Sequence, residues 1–222
     1  YNAVHKKYHT VIRKFLERFG YYDVFLIDHK TGNVVYTVYK EFDFGSSLVS
    51  GPFNKTNFAN CFKKASLIKN KSEVNLVDFS AYLPSYNEHA SFMACPIFDG
   101  NDMIGVLAFQ MPIDKINSIM TSNRQWSNVG LGKTGETYII GEDYKLRNQS
   151  RFLIEDSVNY FKMLSDIGTD KATIENIKNF HSTIGLQEVN TQGTKDALAG
   201  NTNTKFFDDY RGVAVLSAYK PL

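Results

Sequence analysis

The sequence predicts an α+β fold of two like modules, each an antiparallel sheet flanked by helices, arranged along an N-terminal helix. Three observations carry that expectation. A strand–turn–strand unit at residues 22–38, with polar turn residues from His29 to Asn33, recurs after a helical stretch at residues 130–151. In the second copy, glycine-punctuated turns flank a short apolar run, 137–140. Residues 1–19 carry Val4, Tyr8, Val11, Ile12, Phe15, Leu16 and Phe19 at helical spacing, with Lys6, Lys7, Arg13, Lys14 and Arg18 filling most of the rest.

Gly20 is the natural stop for that helix. His5 and His9 share one of its faces, but no third ligand and no intervening Glu accompanies them, so no metal site is expected. After the first hairpin, residues 40–45 (KEFDFG) alternate charged and aromatic side chains, a pattern that suits either a pocket edge or a solvated strand end. Thr56 or Asn57 can cap a helix over 58–68. Strands are expected at 74–82, 91–98 and 103–111, the last two joined by the tight turn Asp99-Gly100-Asn101-Asp102. A helix is expected over 114–122 and a linker over 123–129. The second module then runs through its hairpin and a helical or irregular region, 152–198, to strands at 205–210 and 213–219.

Composition narrows the function classes. Hydrophobic residues are 43% and aromatics 14% of the chain, enough for a packed core with tyrosine- and phenylalanine-lined pockets. The net charge of +2 provides no field for nucleic acid, and no basic stripe is present. The two cysteines, Cys61 and Cys95, form no CxxC; a disulfide and two buried free thiols both remain open readings. No apolar run reaches membrane-spanning length. The chain opens inside a helical pattern and closes on Pro221-Leu222 just after a strand, so it reads as an excised soluble piece of a longer protein. Enzyme signatures are absent: there is no GxSxG, HExxH, P-loop or GxGxxG, and no cofactor is expected.

Four stretches taken together resemble one family. They are residues 22–48 (with VFLID, NVVYTV and KEFDFGSSL), 96–112 (PIFDGNDMIGVLAFQMP), 135–152 (GETYIIGEDYKLRNQSRF) and 206–222 (FFDDYRGVAVLSAYKPL). In that order and spacing they are similar to the tandem Cache, or double PAS-like, extracytoplasmic sensor region of bacterial and archaeal transmembrane receptors. The resemblance implies a spine helix at 1–20, a membrane-distal module at 21–122 and a membrane-proximal module at 130–222 that stops short of its last strand. It implies a sensing domain of a chemotaxis receptor or sensor histidine kinase on the periplasmic or extracellular side of the inner membrane. Flanking membrane spans, a small-molecule ligand in the distal module and a homodimer through the N-terminal helix belong to the same expectation. An amino-acid-binding group of the family holds the ligand ammonium with an Asp near the end of the last strand; here Gln110 stands there, and no Trp-Tyr pair precedes Val74, so a standard amino acid is not the expected ligand.

The candidate ligand-binding residues in the distal module are Tyr36, Asp78, Tyr82, Tyr86, Phe92 and Gln110: flat aromatic surfaces with a few polar groups, as small-molecule pockets require. For each aromatic the competing role is core packing, and for Asp78 it is a place on the outer face. In the second module Tyr138, Arg147, Arg151, Tyr210 and Tyr219 suit a small anion site, against structural pairing of Arg151 or Arg211 with Asp208, Asp209 or Glu136. The rival function is a ligand-free interaction module that takes its signal from a separate binding protein or from dimer contacts. A distal cavity filled by Tyr82, Phe92 and Met93 favours that rival; an open, polar-lined one favours direct sensing.

Overall fold

The computed structural model describes residues 1–222 and divides them into two compact units, Tyr1–Lys115 and Ile116–Leu222. No helix is long and apolar enough to cross a membrane.

The first unit opens with helix α1 (Asn2–Phe19), which ends where Gly20 turns left-handed at φ 76° and donates its N–H to Leu16 O. Strands β1 (Asp23–Asp28) and β2 (Val34–Thr37) form the first hairpin, and helix α2 (Asn57–Ala65) follows. Thr56 caps α2 by accepting from Ala59 N–H. Strands β3 (Asn75–Ala81), β4 (His89–Asp99) and β5 (Asp102–Gln110) complete an antiparallel sheet of order β2-β1-β5-β4-β3.

Each face of this sheet has its own core. One face packs α2 through Phe25, Ile27, Phe58, Phe62, Tyr82 and Phe92. Phe58 and Phe92 stack with ring centres 4.5 Å apart, and Tyr82 meets Phe92 edge-on at 5.0 Å. Burying each ring contributes about 2–3 kcal/mol. The other face packs α1 through Leu16, Val24, Tyr36 and Val38. A bulge between Leu26 and Ile27 breaks the simple alternation of β2: Tyr36 lies opposite Leu26 on the α1 side, while Val34 lies opposite Ile27 on the α2 side. Both cysteines are free; Cys61 is buried on α2, and Cys95 sits on β4.

Helix α3 (Ile113–Met120) spans the point where the two units part. In the second unit, residues 122–129 fold as two short 3-10 turns rather than an extended linker, and Trp126 within them is buried. Helices α4 (Arg151–Glu155), α5 (Ser157–Asp166), α6 (Lys171–Phe180) and α7 (Gln192–Leu198) precede the antiparallel hairpin of β6 (Asn203–Asp208) and β7 (Ala214–Tyr219). Tyr160, Leu164, Ile174 and Ile177 form the core of α5 and α6. Phe206 and Leu216 face each other on the exposed side of the hairpin, whereas Phe207 and Tyr219 turn toward Gly193 of α7.

The strand expected at 137–140 is absent. A single bridge, Ile140 to Leu146, is all that forms, because side chains satisfy the backbone instead: Asn148 Oδ1 accepts from Ile139 N–H at 2.7 Å. Buried Asn148, Ser150, Thr183 and Gln187 continue this network and do the work a sheet ladder would otherwise do.

Candidate functional site

An open cleft of about 730 Å³ lies in the first unit, where β1 begins and β5 ends. Tyr39–Phe42, the segment leaving β2, forms one wall; Pro84–His89, between β3 and β4, forms another. Two rim residues are held left-handed despite their side chains, Lys40 at φ 57° and Tyr86 at φ 55°. Such a backbone costs roughly 1 kcal/mol per residue and persists only where its surroundings enforce it.

The cleft's inner end is polar. Gln110 closes β5 and is 3% exposed; its Nε2 donates to Ser85 Oγ at 3.0 Å, and its Oε1 has no partner. Glu41 accepts from Tyr22 O–H through Oε1 at 3.1 Å, and its Oε2 also has no partner. Buried unpartnered acceptors are uncommon, because each forfeits its hydration. Two further carboxylates lie behind Glu41. Asp23, opposite Gln110 in the β1–β5 register, is fully buried and accepts from Val24 and Val38 N–H at 2.6 and 2.9 Å. Asp43, also fully buried, accepts from Tyr82 O–H at 2.6 Å.

Burial raises the pKa of all three acids. Asp23 is pushed up to about 6 by desolvation, with its backbone donors opposing the rise. Desolvation is also the main cause of the rise at Asp43 and Glu41, and at Glu41 the negative charges of Asp43 and Asp23 add to it. The Tyr22 phenol is pushed up to about 12 by desolvation and then by Glu41.

The six candidates from the sequence separate. Gln110 and Tyr86 line the cleft, Gln110 buried and Tyr86 exposed on the rim. Tyr82 and Phe92 are fully buried in the aromatic core. Tyr36 faces α1, where its hydroxyl meets His9 Nδ1 at 2.9 Å, and does not line the cleft. Asp78 is exposed on β3, with Oδ1 accepting from Phe79 N–H. Asp23, Asp43, Ser85 and Tyr22 were not candidates. The acidic and aromatic alternation at 40–45 was the signal for the wall; nothing in the sequence marked Asp23, an acid that begins a strand like many solvent-facing ones.

In the second unit the arginines are occupied. Arg151 binds Glu155 at 2.9 Å and the carbonyls of Gly132 and Gly135, and lies 4.8 Å over the Trp126 ring. Arg147 pairs with Asp143 at 2.8 Å, and Arg211 with Asp209. Glu136 accepts from Tyr210 O–H and Arg151 N–H. A second cleft of about 660 Å³ is lined by Lys145, Asp170, Glu188, Asp208 and Asp209 among others and by no arginine, so Arg147 and Arg151 do not form an anion site there.

No protein-family model and no curated protein sequence matches the chain. Among solved structures it is similar to the sensor domain of the V. cholerae histidine kinase DctB, with TM-score 0.38 and 15% identity over 53% of this chain and 41% of that one. It is also similar to the ligand-binding domain of the Pseudomonas aeruginosa PAO1 amino-acid chemoreceptor PctC in complex with GABA, with TM-score 0.48 and 10% identity over 90% of this chain and 66% of that one. A third is the extracellular domain of the histidine kinase mmHK1S-Z2, with TM-score 0.45 and 15% identity over 98% and 76%. The chain thus spans less than two thirds of the first two. All three are sensor, ligand-binding or extracellular domains of histidine kinases or chemoreceptors.

Proposed function

We propose that this chain is the extracytoplasmic sensing domain of a transmembrane signal-transduction receptor, of the chemotaxis or histidine-kinase type, and that its first unit binds a small molecule other than a standard amino acid. The observation that carries the reading is the cleft itself. Its volume of about 730 Å³ falls in the range of small-molecule sites, and its inner end holds the unpartnered Gln110 Oε1 and Glu41 Oε2.

Signal transfer follows from the rim. Lys40 lines the cleft, yet its Nζ lies 2.8 Å from His5 Nε2 on α1. A ligand that draws the Tyr39–Phe42 wall inward therefore acts on α1 as well, and shifts the unit between two arrangements by its preference for one. In a receptor, α1 would pass that shift to the membrane.

The rival, a ligand-free interaction module, draws support from Tyr82 and Phe92, which fill the space above the sheet beside the cleft. Calorimetric titration of the folded chain with a broad metabolite panel separates the two. Direct sensing predicts at least one saturable ligand whose binding is weakened by Tyr86→Ala. A flat response across the panel favours the rival.

A further inference from the structure

We infer that the cleft takes an organic cation, an ammonium-bearing molecule with no carboxylate of its own, held between Glu41 Oε2 and Gln110 Oε1 and walled by aromatic rings. The inference rests on the sensing reading above and adds the chemical class of the ligand. Three observations converge on it.

The first is the pair of acceptors. Both lack a donor, and Gln110 is almost wholly withdrawn from water. What completes them is a group with several N–H donors or a diffuse positive charge; a carboxylate has only acceptors and leaves them unmet.

The second is the charge around the cleft. Glu41, Glu88 and Asp114 line it, with Asp23 and Asp43 buried behind Glu41. Against them stand only Lys40 and His89, and the Lys40 ammonium is turned to His5 and the Tyr36 ring on the α1 side. No arginine lines the cleft, so no fork receives the carboxylate of an amino acid or organic acid. The acids are also not gathered for a metal ion, since no three His, Cys, Asp or Glu groups come close enough to ligate one. A cation spread over a carbon frame fits this spacing.

The third is the wall. Tyr22, Tyr39, Phe42 and Tyr86 line the cleft and are exposed, the Tyr22 and Tyr39 rings meeting edge-on with centres 6.3 Å apart. Aromatic faces attract ammonium groups, and the attraction grows as water is excluded.

The test is isothermal titration of the whole chain with choline and putrescine as cations, glycine betaine as the zwitterionic twin of choline, and acetate as the anion. Either cation should bind, with affinity falling as salt is raised. Glu41→Gln should weaken it by about tenfold or more, the loss of one charge-assisted contact. Tyr86→Ala, a change at an exposed rim residue that leaves the core intact, should weaken it several-fold. Betaine or acetate binding as well as the cations overturns the class while leaving small-molecule sensing in place. Cation binding that is unchanged in both variants places the ligand elsewhere and overturns the site. If none of these probes binds while another metabolite does, the class falls alone; if nothing in the metabolite panel binds, the sensing reading falls with it.

Discussion

Replacing Asp23 by Asn should make the chain more stable at neutral pH and not in acid. The carboxyl is fully buried and its pKa is raised from 3.8 to about 6 by desolvation. A rise of roughly two on the pH scale corresponds to about 3 kcal/mol of folding free energy. The sign follows from proton counting. Between pH 4 and 6 the folded chain holds a proton that the unfolded chain releases, so the native contribution of Asp23 is fully present below pH 4 and is lost as pH rises through 6. Asn cannot ionise and escapes that loss. Its Oδ1 can keep the bonds from Val24 and Val38 N–H, whereas the long contact from Tyr39 N–H, 3.4 Å, meets an amide donor and is given up at a cost of about 1 kcal/mol. The expected net effect is a gain of about 2 kcal/mol at pH 7.5 and a loss of about 1 kcal/mol at pH 4, read from urea unfolding at the two pH values. An Asn variant destabilised equally at both would refute the burial argument and show that Asp23 stays charged and well solvated by its donors.

Other outcomes follow from single contacts. Phe92→Ala should cost about 3–5 kcal/mol in urea unfolding, because Phe25, Phe58 and Tyr82 cannot close over the lost ring. Arg151→Ala should destabilise the second unit by about 2–4 kcal/mol, leaving the carbonyls of Gly132 and Gly135 without their donor; Trp126, the single tryptophan, reports the change in its fluorescence. Gly193→Ala should cost about 1–3 kcal/mol, since a Cβ there would lie 2.5 Å from the Phe207 ring and 3.0 Å from Tyr219. Lys40→Met should leave ligand affinity largely intact but remove the ligand-dependent change in amide exchange along α1, because the link to His5 is gone.

Most elements of the first unit could be read from residue pattern because each was signalled locally. Gly20 ended α1, Thr56 capped α2, and Asp99–Asp102 closed the β4–β5 hairpin within a residue or two of the expected boundaries. The second unit was less legible. Residues 137–140 form an apolar run of the kind a short strand uses, but the hydrogen bonds that decide the matter come from Asn148, a residue whose burial no periodicity records. The site suffered from the same kind of long-range decision. The face taken by Tyr36 depends on the bulge after Leu26, and a shift of one residue sends a side chain to the opposite side of a sheet. Tyr82 and Phe92 are equally suited to a ligand wall and to a core, and only the arrival of Phe53 and Phe58 from the preceding segment assigns them to the core. Gln110 was singled out through the family's acidic position near the end of the last strand, and it lines the cleft because β5 ends there.

The β6–β7 ribbon carries a practical cost. Two strands have two bare rims, and each rim offers peptide groups spaced for another strand, beside an apolar surface where Phe206 is 80% and Leu216 61% exposed. Concentrated samples should therefore thicken into stacked ribbons before the rest of the molecule unfolds, with turbidity that rises steeply with concentration. A lysine in place of Phe206 would keep neighbouring molecules apart without touching the cleft.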